Sequence, residues 1–141
     1  MDLRYGSTVL MTILSADTAL KEKLDTFVVG TTTYPAIFVA SVLPENRQDL
    51  TKYLQIYRVS QVGAGDFNEV VYTVNIRQPT EYECDVVAKM VYDLTNRKFT
   101  DYSGVSVYLR SSVGRAIMDA ENNWFVPVDI RISSVIGGYH A

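Results

Sequence analysis

Residues that could perform acid–base or nucleophilic catalysis are almost absent from this sequence. Its only histidine, His140, is the penultimate residue, and its only cysteine is Cys84. Acid–base catalysis near neutral pH most often uses histidine, and a cysteine nucleophile needs a neighbouring base. His140 lies in a terminal segment that we expect to be mobile, and Cys84 falls on the apolar stripe of a predicted helix. The sequence therefore predicts no catalytic residue and no enzyme.

Nucleotide and metal sites also lack their sequence patterns. Gly63-Ala64-Gly65 has no third glycine, precedes a predicted strand instead of a helix, and has no lysine at phosphate-loop spacing. We interpret this segment as a hairpin turn. Asp119 and Glu121 lie in another predicted turn, and no spacing provides the oxygen ligands of a calcium loop. We therefore predict no cofactor and no metal ion.

Arginines are the remaining residues that could bind a charged partner. Five fall on or beside predicted strands: Arg58, Arg77, Arg110, Arg115 and Arg131. The net charge is −3 and the pI is near 5.1, whereas proteins that bind by neutralising phosphates are usually strongly basic. We predict that these arginines pair with carboxylates or contact a partner subunit, and not that they bind nucleic acid.

The composition indicates one domain over residues 1–141, with a core of ordinary size. The chain is 48% hydrophobic, and its ten tyrosines favour strands and interfaces. A single cysteine cannot form an intrachain disulfide. We find no signal peptide and no run of about 20 apolar residues that could span a membrane. The sequence thus predicts a soluble protein with no membrane association and a mobile tail at 137–141.

The first half of the chain predicts a helix, a loop and a β-hairpin. Residues 8–24 indicate a helix in two pieces, the second capped by Asp17. A loop follows, with one short strand at about 37–39. The segments 52–62 and 69–77 alternate in polarity and flank the glycine-containing turn, which predicts two antiparallel strands.

The second half predicts one long helix and further strands. Thr80 and Glu83 form a capping box at the start of a helix over about 81–97, whose apolar residues follow a 3.6-residue period. Three strand-like segments follow: about 105–109, 114–118 and 124–132. Pro127 lies within the last one, so we expect that strand to be bulged or at a sheet edge there. The fold class is α+β, a mostly antiparallel sheet with two main helices on one face.

Several short segments, in this order, match the pattern of one protein family. They are Asp17 to Leu20, Ile37-Phe38, Tyr53 to Tyr57, Val71 to Ile76, and the closing pair Ala116 to Glu121 and Trp124 to Ile132. Over most of its length the chain resembles the tail-terminator, or tail-completion, proteins of tailed phages. It departs from the family's usual pattern in a longer Thr-rich loop at 30–35 and a longer polar loop at 44–50.

The resemblance implies a structural virion protein that forms a ring of identical subunits. The ring would hold six copies, as in tail terminators, or twelve if it follows portal symmetry. It would join the connector or portal to the tail at the head–tail junction, after synthesis in the bacterial cytoplasm. Its partners would be other neck, portal or tail proteins, and genome DNA would pass through the lumen without sequence-specific binding.

The hairpin around the glycine-containing turn is the subunit contact that we predict. Its interface residues would be Gln61, Gly63, Asp66, Phe67, Asn68 and Glu69. Exposed sheet edges could close such a ring head to tail. A different class of function stays open: a small α+β ligand-binding or regulatory domain that uses its sheet face or hairpin as the site.

Overall fold

A computed structural model of the chain describes residues 6–40, 45–47, 49–62, 69–102 and 105–134. The helices are α1 (Gly6–Ala16), α2 (Thr18–Lys21) and α3 (Glu81–Thr95), with a short 3-10 helix at Glu45–Arg47. The strands are β1 (Thr26–Val29), β2 (Thr32–Pro35), β3 (Ile37–Phe38), β4 (Tyr53–Val62), β5 (Glu69–Gln78), β6 (Lys98–Tyr102), β7 (Val105–Val113), β8 (Ile117–Met118) and β9 (Trp124–Ser134). In this part of the chain, no helix is long and apolar enough to cross a membrane.

Seven strands form the main sheet, in the order β3-β4-β5-β9-β7-β6, with β8 beside one end of β9. All pairings in this sheet are antiparallel except β3 with β4. The strands β1 and β2 form a separate two-stranded sheet. The predicted α+β class with a mostly antiparallel sheet is confirmed.

The helices cover one face of the main sheet because the strands alternate in polarity. One face of β5 and β9 carries buried Val, Ile and Tyr side chains, and the core formed there also includes α1 and α3. The fully buried members include Leu10, Leu14, Ile56, Val74, Val91, Leu109 and Ile130. The opposite face carries the alternate residues of the same strands and is the open face of the sheet.

Side-chain caps fix where the helices start. The Asp17 carboxylate accepts a hydrogen bond from the Leu20 amide at 2.9 Å, which separates α2 from α1 as predicted. The Thr80 hydroxyl likewise accepts from the Glu83 amide at 3.2 Å at the start of α3. The helix ends at Thr95, two residues before the predicted end, because Asn96 is extended and Arg97 has a φ of 57°.

The last strand is central in the sheet but has a local break in its pairing beside Pro127. We expected a bulge or a sheet edge at Pro127; β9 as a whole lies between β5 and β7 with a continuous register to β5, but on its other side the pairing is interrupted beside Pro127, so the strand has a local edge there. On the other side, β7 ends at Val113 and β8 begins at Ile117. In that gap the Pro127 carbonyl accepts from the Gly114 amide at 2.7 Å. The missing N–H of Pro127 points to the same gap, so no regular ladder bond is lost.

Two strand pairs were not predicted from the sequence. Residues 26–35 form the β1–β2 hairpin, where we expected only a loop. Gly30, with a φ of 64°, allows the reversal between the strands. The strand β6 pairs with β7 and forms one outer edge of the main sheet.

Candidate functional site

The cysteine occupies an inert position, as its place on the apolar stripe predicts. Its side chain is fully buried, and its Sγ lies 3.4 Å from the Ile76 carbonyl and 3.5 Å from the Trp124 carbonyl. Burial, followed by the negative charge of Asp85, raises the pKa of the Cys84 thiol to about 12. The thiol is therefore protonated at neutral pH. Across the described residues, no three His, Cys, Asp or Glu side chains are grouped so that they could hold a metal ion.

Arg77 joins the β8–β9 turn to the open face of the sheet. Its Nη2 lies 3.2 Å from Asp119 Oδ2 and 3.5 Å from Glu121 Oε2, and its Nη1 donates to the Tyr53 hydroxyl at 3.2 Å. The guanidinium also lies over the Phe125 ring, 4.9 Å from its centroid. Only 14% of the Arg77 side chain is exposed. This cluster connects the β8–β9 turn to β4 and β5.

Asp119 shapes the turn that Arg77 anchors. Its Oδ1 accepts from the backbone amides of Glu121 at 2.8 Å and Asn123 at 3.0 Å. The bond from Asn123 is the main cause that lowers the pKa of Asp119, and the charge of Arg77 contributes. The turn at 120–123, which the sequence predicted, is therefore built around an ionised carboxylate.

A shallow polar cup lies on the open face of β5, β7 and β9. It has a volume of about 410 Å³, and its lining includes Arg110, Ser112, Asp129 and Arg131. Arg110 and Arg131 are directly opposite each other across the β7–β9 pair. Arg131 is ion-paired with Glu69 at 3.2 Å, and Asp129 accepts from the Thr73 hydroxyl at 2.7 Å. The pairing of strand arginines with carboxylates is thus confirmed for Arg131 and Arg77.

An apolar groove lies at the β3 edge of the sheet, between α1 and the β1–β2 hairpin. It has a volume of about 540 Å³ and is lined by Met11, Ser15, Phe27, Val29, Tyr34, Pro35 and Ile37. Phe27 stacks on Tyr34 and on Phe38, with ring centroids 5.7 and 5.2 Å apart. Val28 and Val29 are more than half exposed. An exposed apolar surface of this kind is typical of a site that binds another protein.

The opposite edge of the sheet, at β6, carries a second exposed apolar side chain. Phe99 is 69% exposed and packs only on one side, against Tyr108 at a centroid distance of 4.7 Å. The backbone of β6 has β7 on one side, and the sheet order places no strand on its other side within the described residues. An edge strand of this type can pair with another chain.

Most of the predicted interface residues lie outside the described part of the chain. This applies to Gly63, Asp66, Phe67 and Asn68, while Gln61 is described only as a backbone position of β4 opposite Val70. Glu69 is described, and it is held within the subunit by Arg131 and by the Ser133 hydroxyl at 3.3 Å. Its carboxylate is therefore already engaged, and the predicted contact through 61–69 stays a prediction.

The structure adds two surfaces that the sequence reasoning did not find, the groove and the β6 edge. The Gly30-Thr31 pair between two β-branched runs was the available signal for the β1–β2 hairpin. For Phe99 there was no comparable signal, because the segment 98–102 is short and follows the predicted helix directly.

No protein-family model matches the chain, and no curated protein matches it. Two solved structures are similar over nearly all of it. One, a chain without a descriptive name, is 17% identical with a TM-score of 0.62, over 95% of this chain and 96% of that one. The other is a chain from the virion of a native gene transfer agent particle. It is 14% identical with a TM-score of 0.57, over 89% of this chain and 90% of that one.

The fold is shared with a virion chain. At these identities the similarity establishes the fold and the extent of the match.

Proposed function

We propose that this chain is a structural subunit of a phage or phage-like particle and forms a homo-oligomeric ring at the head–tail junction. The observation that carries the proposal is the shared fold with a chain of a gene transfer agent virion, over 89% of this chain. The resemblance to tail-terminator proteins, stated from the sequence alone, points to the same class. In this proposal the protein is not an enzyme and has no cofactor.

The exposed apolar surfaces support an assembling protein. The groove at the β3 edge and Phe99 at the β6 edge expose large apolar side chains to water at opposite edges of the sheet. Monomeric proteins rarely expose large contiguous apolar patches, and each such patch loses contact with water when subunits associate. The ring would have six copies, or twelve if it follows portal symmetry, and other neck, portal or tail proteins would stack above and below it.

The net charge of −3 is compatible with DNA that passes through the ring. A lumen without a strong positive field would let the genome slide and would not retain it. Arg77 and Arg131, which could otherwise bind phosphates, are neutralised by carboxylates of the same chain.

Electron microscopy of the intact chain tests this proposal. Purified protein would be concentrated, lightly cross-linked with glutaraldehyde and imaged in negative stain. We expect uniform rings with a central opening and six- or twelvefold symmetry. Small particles without an opening at every concentration would contradict the proposal.

The polar cup favours a second candidate, a small ligand-binding domain. Arg110 and Ser112 lie at its wall, and the cup is large enough for a small anionic molecule. A panel of nucleotides and metabolites would be screened by thermal melting. A ligand-dependent rise in melting temperature that Arg110→Ala abolishes would support this candidate, and no shift across the panel would count against it.

A further inference from the structure

We infer that adjacent subunits join head to tail, with the β6 edge of one copy seated in the apolar groove of the next copy. This inference rests on the proposed function and names the two surfaces that would form the ring contact. The main sheet runs from β3 at one edge to β6 at the other. The groove lies at the β3 edge, and Phe99 lies at the β6 edge.

The groove presents a preformed apolar floor. Phe27, Val29 and Tyr34 lie on the same side of the β1–β2 hairpin, since Phe27 is opposite Tyr34 and alternate residues share a face. Phe27 and Tyr34 are stacked, and Phe27 also stacks on Phe38 of β3, so the hairpin is fixed to the main sheet. Burying the half-exposed Val29 and the exposed parts of these rings stabilises any complex that covers them.

The β6 edge presents a matching projection. Phe99 and Asp101 lie on the same side of β6, opposite Tyr108 and Ser106 of β7. Phe99 is 69% exposed although its ring contacts Tyr108, and aromatic anchors of this kind often contribute most to an interface. The free backbone edge of β6 can add main-chain hydrogen bonds to the contact.

The charges beside the two surfaces are opposite in sign. Arg47 lies over the Phe27 ring, 4.9 Å from its centroid, and its Nη2 donates to the Val28 carbonyl at 3.4 Å. Asp101 accepts from the Ser106 hydroxyl at 3.4 Å. Neither residue has an ion-pair partner within the described ranges. A cation beside the groove and a carboxylate two residues from Phe99 favour pairing between copies, and they disfavour groove-to-groove contact.

Two different surfaces on one subunit do not form a closed dimer; they form a ring when the rotation per subunit closes and an open filament when it does not. A contact between identical patches stops at two copies, whereas a contact between unlike patches continues until the rotation closes. The groove and Phe99, at opposite edges of one sheet, would form a contact between unlike patches.

The test blocks each surface separately and then combines the blocked proteins. In Val29→Glu a charge occupies the groove, and in Phe99→Glu a charge replaces the projection. Tyr82→Glu is the matched control, because Tyr82 is a large side chain on α3 that is 77% exposed and is not part of the groove lining or of β6. Circular dichroism and thermal melting would show that each variant is folded, and light scattering would give its mass.

We expect Val29→Glu and Phe99→Glu each to raise the concentration needed for ring formation by about tenfold or more. Tyr82→Glu should assemble like the wild type. An equimolar mixture of the two blocked variants should give a one-to-one dimer and nothing larger, because each pair retains one intact groove and one intact projection. If wild-type rings form but both blocked variants also form them normally, this contact is wrong and the proposed function still stands.

A charge exchange tests the pairing independently. Arg47→Glu and Asp101→Arg should each weaken assembly, and the double variant should recover most of it, because every interface would again hold one cation and one carboxylate. If the double variant assembles no better than the single variant that assembles less well, Arg47 and Asp101 do not form an ion pair between copies. A wild-type protein that never assembles would instead contradict the proposed function itself.

Discussion

At the scale of single residues, Arg77 has the largest expected effect on stability. We predict that Arg77→Ala lowers the free energy of unfolding by about 2 kcal/mol, because removal of this mostly buried charged donor leaves Asp119 and Tyr53 without their partner. Urea denaturation at neutral pH measures this. Glu121→Ala is the matched control: it removes the other carboxylate of the cluster, which is 80% exposed, and should change little. Equal effects of the two substitutions would contradict the account of this cluster.

Asp119 should make stability depend on acidity. Its pKa is lowered below the ordinary value of 3.8, first by the Asn123 amide. A carboxyl whose pKa is lower in the folded than in the unfolded chain stabilises the folded state at pH values above its ordinary pKa. This contribution is lost as the pH falls through 3.8 towards the pKa of Asp119 in the folded protein. Between pH 5 and pH 3, as an approximate range, the wild type should lose more stability than Asp119→Asn. Parallel losses in urea titrations at several pH values would contradict this.

The cysteine gives a direct measure of how tightly the core closes. Because Cys84 is buried and its thiol has a pKa of about 12, a thiol reagent should label it only when the protein opens. We predict very slow labelling of the folded chain at pH 8, about the pH at which free thiols react readily. In denaturant we expect one labelled thiol per chain. Rapid labelling of the folded protein would show that the region around α3 is open.

The types of these side chains could be interpreted from the sequence, but their partners could not. The sequence predicted that Arg77 and Arg131 would meet carboxylates, and the structure confirms it. That these carboxylates are Asp119 and Glu69 follows from the order of strands, which brings distant segments together. The inert position of Cys84 was predictable because it depends on helical periodicity alone.

At the scale of elements, the start of α3 depends on a single hydroxyl. The Thr80 side chain accepts from the Glu83 amide, so Thr80→Ala should lower the free energy of unfolding by about 1 kcal/mol. Thr80→Ser keeps the acceptor and should retain most of that stability. Urea denaturation of both variants measures the difference, and an alanine variant as stable as the serine variant would show that the cap contributes nothing.

Elements with a clear polarity period were predictable, and those without one were not. The alternation in β5 and the 3.6-residue stripe of α3 reflect burial on one face, and both were placed within two residues. The β1–β2 hairpin has mostly exposed residues on both faces, so its sequence shows no alternation. The change of the neighbour of β9 from β7 to β8 beside Pro127 was not predictable, because no local pattern reveals it.

At the scale of the whole molecule, the fold class was predictable and the assembly surfaces were not. Hydrophobic patterning places residues in a core, but it does not separate an exposed valine that meets a partner from one that meets water. The groove at the β3 edge depends on the packing of α1 beside the β1–β2 hairpin, which the sequence does not reveal. The predicted contact through 61–69 and the contact through β6 remain distinct, and a ring could use both.

The central claim is that the chain assembles with copies of itself, and its mass in solution tests this most directly. Wild-type protein would be measured by size-exclusion chromatography with light scattering over a rising series of concentrations. We predict a species whose mass is six or twelve times 15.8 kDa at the higher concentrations. A single species of 15.8 kDa throughout the series would contradict the claim.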